Sequence, residues 1–163
     1  MSAEPAEIRV SVADYAASAR GTISTIGLGS CVAIILHDAA ARVGGLAHVL
    51  LPSGSMSRDR SNPAKFPETA VPILLSEMAR LGASVERVTA KIVGGASMFA
   101  ALIPSGTINI GERNIAAARD VLQQLRVPIL AEDVGSDYGR SVYLFTEDGR
   151  VEVRSLRKGS RVL

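Results

Sequence analysis

The sequence predicts a mixed α/β (α+β) fold, a layered sandwich with a mixed, largely antiparallel sheet and few helices. Short apolar runs of strand length recur along the chain, only two segments have helical spacing, and Gly-containing turns separate them. With 163 residues, 47% of them hydrophobic and 21% charged, the chain has the size and composition of one folded domain over residues 1–163. Aromatic residues are only 4%, so the core is expected to be aliphatic.

The first part of the chain is predicted to form mostly strands. Residues 8–12 and 22–26 alternate apolar and polar side chains, which is typical of half-buried strands. Residues 32–36 and 45–51 are apolar on both faces, which favours interior strands of a covered sheet. Residues 52–66 are rich in Ser, Pro, Gly and charge and are predicted to form an exposed loop.

The second part adds both helices. One is predicted from Pro67 to about Leu81, with proline in its first turn and Gly82 after its end. The other is predicted from about Glu112 to Arg126, where apolar residues recur at helical spacing. The remaining predicted strands are 88–93, 129–131, 141–145 and 151–154, and residues 156–163 are predicted to be a flexible basic tail.

Composition argues against several classes of function. A formal net charge of +2 is too small for a nucleic-acid-binding surface. The sequence has no apolar run of the ~20 residues that would span a bilayer and no leader pattern, so a cytoplasmic protein without membrane insertion is expected. One cysteine and two histidines, without metal-ligand spacing, predict no metal site and no cofactor.

Cys31 is the only cysteine, and it ends the run Thr-Ile-Gly-Leu-Gly-Ser-Cys at 25–31. Two glycines free the backbone just before the thiol, so the amides around Gly29 and Ser30 are candidates for an oxyanion hole. A lone Cys with a His elsewhere in the chain is the outline of a thiol hydrolase or acyl transferase. The candidate histidine is His48, in Gly-Gly-Leu-Ala-His at 44–48.

The spacing allows Cys31 and His48 to lie on one face of a β-hairpin. If residues 31–37 and 42–48 pair around a four-residue loop, Asp38–Ala41, then Cys31 is directly opposite His48. Their Cβ atoms would then be roughly 4.5–5.5 Å apart, close enough for a thiolate–imidazolium pair. Thr25, by its hydroxyl or its carbonyl, is a candidate to orient the histidine.

The same residues also have structural interpretations. A lone Cys in an aliphatic strand is more often a buried small hydrophobe than a nucleophile, and His48 would by default be a core histidine. His37, before Asp38 at a strand end, is predicted to serve the turn rather than catalysis.

Five blocks together resemble the CheD family. They are 25–31 and Gly-Gly-Leu-Ala-His-Val-Leu-Leu-Pro at 44–52, then Lys-Ile-Val-Gly-Gly-Ala-Ser-Met-Phe at 91–99, Ile-Gly-Glu-Arg-Asn at 110–114 and Ala-Glu-Asp-Val-Gly-Ser-Asp-Tyr-Gly-Arg at 131–140. They occur in family order and span nearly the whole chain. The resemblance is therefore far more specific than the Cys and His alone.

The resemblance implies a protein-glutamine deamidase that converts glutamines of methyl-accepting chemotaxis receptors to glutamate through a Cys thioester. It places the family's catalytic cysteine, histidine and threonine on Cys31, His48 and Thr25. It also implies a fold similar to the catalytic domain of cytotoxic necrotizing factor toxins and, for some members, binding to the phosphatase CheC; we expect a monomer. Two alternatives stay open, namely a thiol amidase acting on another protein glutamine and a non-catalytic adaptor that binds receptor or CheC.

Overall fold

This computed structural model describes residues 6–98, 102 and 109–163. The described residues contain two five-stranded sheets, two α-helices and three short 3-10 helices. The strands are β1 (Glu7–Arg9), β2 (Asp14–Ser18), β3 (Thr22–Leu28), β4 (Val32–Asp38), β5 (Val43–Val49), β6 (Thr89–Gly94), β7 (Ile129–Val134), β8 (Arg140–Phe145), β9 (Val151–Ser155) and β10 (Gly159–Val162). The helices are α1 (Pro67–Arg80) and α2 (Ile110–Gln124).

The molecule has three layers, which confirms the predicted layered class. One sheet has the order β1-β3-β8-β9-β10 and the other β2-β5-β4-β6-β7. Pairing is antiparallel except for β1 with β3 and β6 with β7, so the predicted mixed, largely antiparallel pairing is also confirmed. Both helices pack on the outer face of the second sheet. We call the β1-containing sheet sheet A and the β2-containing sheet sheet B.

Strand β4 is buried on both faces because it lies at the centre of sheet B between two cores. Val32 and Ile34 belong to the core beneath the helices, whereas Ala33 and Ile35 belong to the core between the sheets. This explains the continuous apolar run, which alternates between cores rather than between core and solvent.

The helix ends follow local chemistry. Pro67 occupies the first turn of α1, and Gly82 follows the helix with φ +106°. Helix α2 begins at Ile110, two residues before the predicted start, because the Asn109 side chain accepts a hydrogen bond from the amide of Glu112. Neither helix of the described residues is long and apolar enough to cross a membrane.

The C-terminal residues differ from the predicted flexible tail. Residues 159–162 form β10, which pairs with β9 from Gly159↔Ser155 to Val162↔Glu152. The amide of Leu163 also donates to the carbonyl of Val151 at 2.8 Å. Backbone pairing therefore holds this segment even though its side chains are exposed.

Candidate active site

Thr25 and His48 meet across the space between the two sheets. Thr25 lies on β3 of sheet A, His48 lies on β5 of sheet B, and both side chains are fully buried. The Thr25 Oγ1 atom is 2.7 Å from His48 Nδ1. The side chain of Thr25, rather than its carbonyl, is therefore the group that contacts the histidine.

A third residue, Val10, determines the direction of this hydrogen bond. Thr25 Oγ1 is also 2.7 Å from the carbonyl oxygen of Val10, which can only accept. Because a hydroxyl has one hydrogen, Thr25 donates to Val10 and accepts from His48. The neutral His48 ring therefore carries its proton on Nδ1 and has its lone pair on Nε2, which is the state of a general base.

His48 Nε2 is buried and has no hydrogen-bond partner among the described residues. Buried polar atoms without partners are rare in folded proteins and often mark functional sites. With Nδ1 bound to Thr25, Nε2 is the ring nitrogen left for a thiol.

The hairpin prediction was correct in the shared face and wrong in the register. Val32 pairs with Val49 and Ala33 pairs with His48, so His48 is opposite Ala33 rather than opposite Cys31. The shift of two positions leaves Cys31 and His48 on one face, as diagonal neighbours. Its cause is a four-residue loop that lies one residue later than predicted, after Asp38, which still pairs with Val43.

The segment before Cys31 has its carbonyl groups turned into the protein. The amide of Ala96 donates to the carbonyl of Gly29 at 2.8 Å, and the amide of Gly95 donates to the carbonyl of Cys31 at 2.8 Å. The carbonyl of Ser30 accepts from the Asn114 side chain, also at 2.8 Å. Among the described residues, no other residue supplies an acceptor to the amides of Gly29, Ser30 and Cys31, and the Cys31 amide interacts with its own thiol.

A β-bulge separates Thr25 from this segment. The register between β3 and β8 shifts between Thr25↔Val142 and Leu28↔Arg140, and Gly27 in the bulge has φ +75°. Bulges bend a strand and release it from its partner. Here the bulge ends regular pairing just before the turn that leads to Cys31.

Gly94 permits the close approach of β6 to the segment that carries Cys31. A methyl group at Gly94 would overlap the carbonyl oxygen of Cys31, and its φ of +111° is unfavourable for any other residue. The glycine therefore lets the 94–96 backbone reach Cys31 and hold its carbonyl.

Burial acts on both proposed reacting groups. It lowers the pKa of His48 from 6.5 to about 4, and it raises the pKa of the partly buried Cys31 thiol, opposed by a smaller backbone hydrogen bond. Both shifts favour the neutral thiol and the neutral imidazole. The expectation of a standing thiolate–imidazolium pair does not follow from this environment, which instead favours proton transfer at the moment of attack.

His37, the second histidine, has a structural role, as the sequence predicted. His37 Nε2 is 2.7 Å from the carbonyl oxygen of Thr146, and it contributes to the contact between the sheets at the other end of β4.

A surface groove of about 640 Å³ lies between Gly27 and Met98 on one side and β8–β10 on the other. Cys31, His48 and Thr25 do not line it.

Sequence reasoning missed Val10 and Asn114. Val10 acts through its carbonyl, which no side-chain pattern can reveal. Asn114 had a possible signal, because it is a polar residue on the helical face that carries Ile115, Ala118 and Leu122.

Comparison with known proteins identifies the family. The model of the family described as CheD chemotactic sensory transduction matches residues 50–155. A protein of Caldanaerobacter subterraneus subsp. tengcongensis is 44% identical over 157 residues, covering 96% of this chain and 97% of its own length. A protein of Pyrococcus abyssi is 46% identical over 154 residues, covering 94% of each chain. Each of these relatives bears the name "Probable chemoreceptor glutamine deamidase CheD".

Among solved structures, a crystal structure of a Neisseria meningitidis protein is similar with a TM-score of 0.49 and 11% identity, covering 88% of this chain and 70% of that one.

Proposed function

The chain belongs to the CheD family, and from this premise we propose that it is a chemoreceptor glutamine deamidase. The protein would hydrolyse the side-chain amide of selected glutamines in methyl-accepting chemotaxis receptors and leave glutamate. The observation that carries the proposal is the Val10–Thr25–His48 chain of hydrogen bonds, because it holds a buried histidine as a general base with a free Nε2.

In the first step, Cys31 Sγ attacks the glutamine carboxamide carbon. His48 Nε2 takes the thiol proton as the S–C bond forms, so the nucleophile need not exist as a thiolate beforehand. The imidazolium is stabilised while it lasts, because Nδ1–H remains bonded to Thr25. The carbonyl π electrons move to oxygen, giving a tetrahedral oxyanion.

The oxyanion is proposed to bind the amides near Gly29 and Ser30. In a trans peptide the N–H points opposite to the preceding C=O. Because the carbonyls of Gly29 and Ser30 are bonded inward, the amides of Ser30 and Cys31 point the other way, and no other described residue supplies them with an acceptor. The Cys31 amide also interacts with its own thiol, which places it beside the attacking sulfur. Donors prearranged in this way are typically worth about 10²–10³ in rate each.

Collapse of the tetrahedral species breaks the C–N bond. The proton on His48 passes to the departing nitrogen, ammonia leaves, and a γ-glutamyl thioester remains on Cys31. Water, deprotonated by His48, then attacks the thioester carbon. The C–S bond breaks, the thiol regains its proton, and the receptor side chain ends as glutamate.

The product is an anionic side chain where a neutral one stood. On a helical receptor, such a change alters helix packing and signalling through local electrostatics. Cys31 is partly exposed, which fits a substrate that is presented on another protein's surface.

Two narrower proposals concern the oligomeric state and a partner, and only the second rests on the family resemblance. We propose that the protein is monomeric in the cytoplasm and binds the phosphatase CheC. Sedimentation of the protein alone and with CheC tests both, since a dimer alone, or the absence of a faster-sedimenting complex, would contradict them.

The direct test incubates the protein with a cytoplasmic receptor fragment from the same source. Each converted glutamine gains about 1 Da, which peptide mass spectrometry detects, and release of ammonia is measured in parallel. We expect conversion with the wild type and none with Cys31→Ala or His48→Ala. Wild-type-like conversion by either folded variant would overturn the mechanism, and no conversion by the wild type would overturn the function.

A further inference from the structure

Asn114 is a fully buried polar residue in α2 that contacts the segments carrying both Cys31 and His48. Its Nδ2 group donates to the carbonyl of Ser30 at 2.8 Å and to the carbonyl of Leu50 at 3.2 Å. Two carbonyl acceptors require the NH₂ end of the amide at this position, so the orientation of the side chain is determined by its partners.

The two carbonyls lie next to the reacting residues in the sequence. Ser30 directly precedes Cys31, and Leu50 lies two residues after His48. Since Val32 pairs with Val49, these carbonyls stand at the adjoining ends of β4 and β5. One amide group therefore ties together the two strand ends on which the proposed nucleophile and base depend.

The bond to Ser30 also determines where the next amide points. The C=O of Ser30 and the N–H of Cys31 belong to one trans peptide and point in opposite directions. Holding the carbonyl against Asn114 therefore turns the Cys31 amide away from α2. Among the described residues, the acceptor near this amide is the Cys31 thiol itself, and no other residue competes for it.

Helix α2 is firmly seated against the same segment. A methyl group on Gly111 would lie 2.5 Å from the carbonyl oxygens of Gly95 and Ala96. The 95–96 backbone is the part that holds the carbonyls of Cys31 and Gly29. Asn114 thus projects from a helix whose first turn packs closely against this backbone.

The oxygen at the other end of the amide has no hydrogen-bond partner in the described part of the chain. Asn114 Oδ1 is buried without a hydrogen-bond partner among the described residues, which costs stability. The residue is therefore not optimal for stability alone. Its presence is better explained by the two donors that it supplies.

We propose that Asn114 is a positioning residue for deamidation: it fixes the Ser30–Cys31 peptide against the end of β5 so that the Cys31 amide faces the oxyanion. This inference rests on the proposed function. It assigns Asn114 no contact with substrate, and its effect passes through the Cys31 amide.

The test compares Asn114→Ala with Leu122→Ala, a control in the same helix. Leu122 is fully buried in the core beneath the helices, so its loss destabilises the fold without touching Ser30 or Leu50. Both variants are assayed on the receptor fragment at a temperature where circular dichroism shows them folded. We expect Asn114→Ala to lower kcat about 10- to 100-fold with KM within about threefold of the wild type. Leu122→Ala should keep kcat within about twofold of the wild type.

Alkylation of Cys31 by iodoacetamide separates positioning of the amide from activation of the thiol. Alkylation at sulfur builds no oxyanion, so its limiting rate, at a pH where the thiol is fully ionised, should be unchanged in Asn114→Ala. If alkylation falls in parallel with kcat, or if kcat is unchanged, or if Leu122→Ala loses as much kcat, the inference is overturned. If the wild type converts no receptor glutamine, the proposed function fails and the inference fails with it.

Asn114→Asp provides a near-isosteric second variant if the alanine variant does not fold. Its ionised carboxylate cannot donate to either carbonyl, whereas the protonated form can donate to one. The kcat of Asn114→Asp relative to the wild type should therefore rise as the pH falls. A ratio that is low and independent of pH would contradict the donor role.

Discussion

Replacing Thr25 by valine tests the hydrogen-bond chain at its centre. Valine has nearly the shape of threonine but lacks the hydroxyl, so Val10 O and His48 Nδ1 would each lose a bond of 2.7 Å. Both partners are buried, and a buried unpaired group costs about 1–3 kcal/mol, so the free energy of unfolding should fall by about 2–6 kcal/mol. The stability loss is measured by urea denaturation.

The same change should reduce activity more than stability explains. Without an acceptor at Nδ1, the neutral His48 ring is no longer held in the tautomer that leaves Nε2 unprotonated. Loss of an oriented general base typically costs about 10²–10⁴ in rate, and we expect kcat of Thr25→Val to fall by at least about 10²-fold. Ammonia release from a saturating receptor fragment measures this, under conditions where the variant is folded.

Thr25→Ser is the matched control, because it keeps the hydroxyl and removes only a methyl group. It should lose about 1 kcal/mol of stability and retain kcat within about threefold. Nitrogen-15 chemical shifts of His48 report the tautomer directly and should show a protonated Nδ1 in the wild type. Full activity of folded Thr25→Val, or a protonated Nε2 in the wild type, would refute the reasoning.

Four further predictions concern the pH dependence of the protein and the contacts around the site. Since the pKa of neutral, buried His48 is lowered to about 4, the acid limb of kcat/KM should lie near pH 4, and a limb near 6.5 would contradict this. Because the pKa of His48 is lowered in the folded protein, the unfolded chain takes up a proton between pH 6.5 and about 4 that the folded chain does not. Up to about 3 kcal/mol of the free energy of unfolding should therefore be lost as the pH falls through this range, and denaturation at each pH measures the loss. Gly94→Ala should lower stability by at least about 1–3 kcal/mol and kcat as well, because the methyl displaces the Cys31 carbonyl. Arg140→Met should lower the free energy of unfolding by up to about 3 kcal/mol in urea denaturation, because the buried Asp133 carboxylate keeps only the more exposed Arg161, at 3.3 Å, as a cationic partner.

Two variants serve as controls for these substitutions. Gly82→Ala introduces the same methyl at φ +106°, where no atom lies within 4 Å, so it should reduce stability without reducing kcat. Arg157→Ala breaks an exposed pair with Asp137 and should cost less than about 1 kcal/mol. Equal effects in control and test variants would contradict the assigned contacts.

The sequence predicted the class of fold and most of its elements, because apolar periodicity reports directly which faces are buried. Strand β2 (Asp14–Ser18) was missed, since an edge strand with partly exposed small residues has no such pattern. The division into two sheets was also missed. Strands on both sides of the inner core have the same apolar character, and only the pairing distinguishes them.

The register of the β4–β5 hairpin was predicted incorrectly. Asp38 was placed in the supposed four-residue loop, but it pairs with Val43 as the last residue of β4. Its carboxylate accepts from the amides of Ala40 and Ala41 and from Arg87. Arg42, with φ +55°, completes the turn in a conformation that sequence alone does not favour. The observed loop therefore lies one residue later than the predicted loop, and the residue opposite His48 is two positions further along β4.

The proposed catalytic residues could be predicted from the sequence, whereas their protonation states could not. Spacing placed Cys31 and His48 on one face, and family resemblance added Thr25. The direction of the Thr25 bond depends on a backbone carbonyl from β1's end, and the pKa shifts depend on burial between two sheets. Both arise from the tertiary fold.

The proposed mechanism depends on a thioester intermediate at Cys31, and trapping with hydroxylamine tests this intermediate most directly. In the presence of hydroxylamine, a γ-glutamyl thioester on Cys31 should divert to a hydroxamate, which makes the target receptor peptide about 16 Da heavier than its glutamine form. We predict that the wild type yields this product at the same glutamines that it otherwise deamidates, and that Cys31→Ser yields none. Deamidation by the wild type with no hydroxamate at saturating hydroxylamine, or hydroxamate formation by Cys31→Ser, would contradict the account.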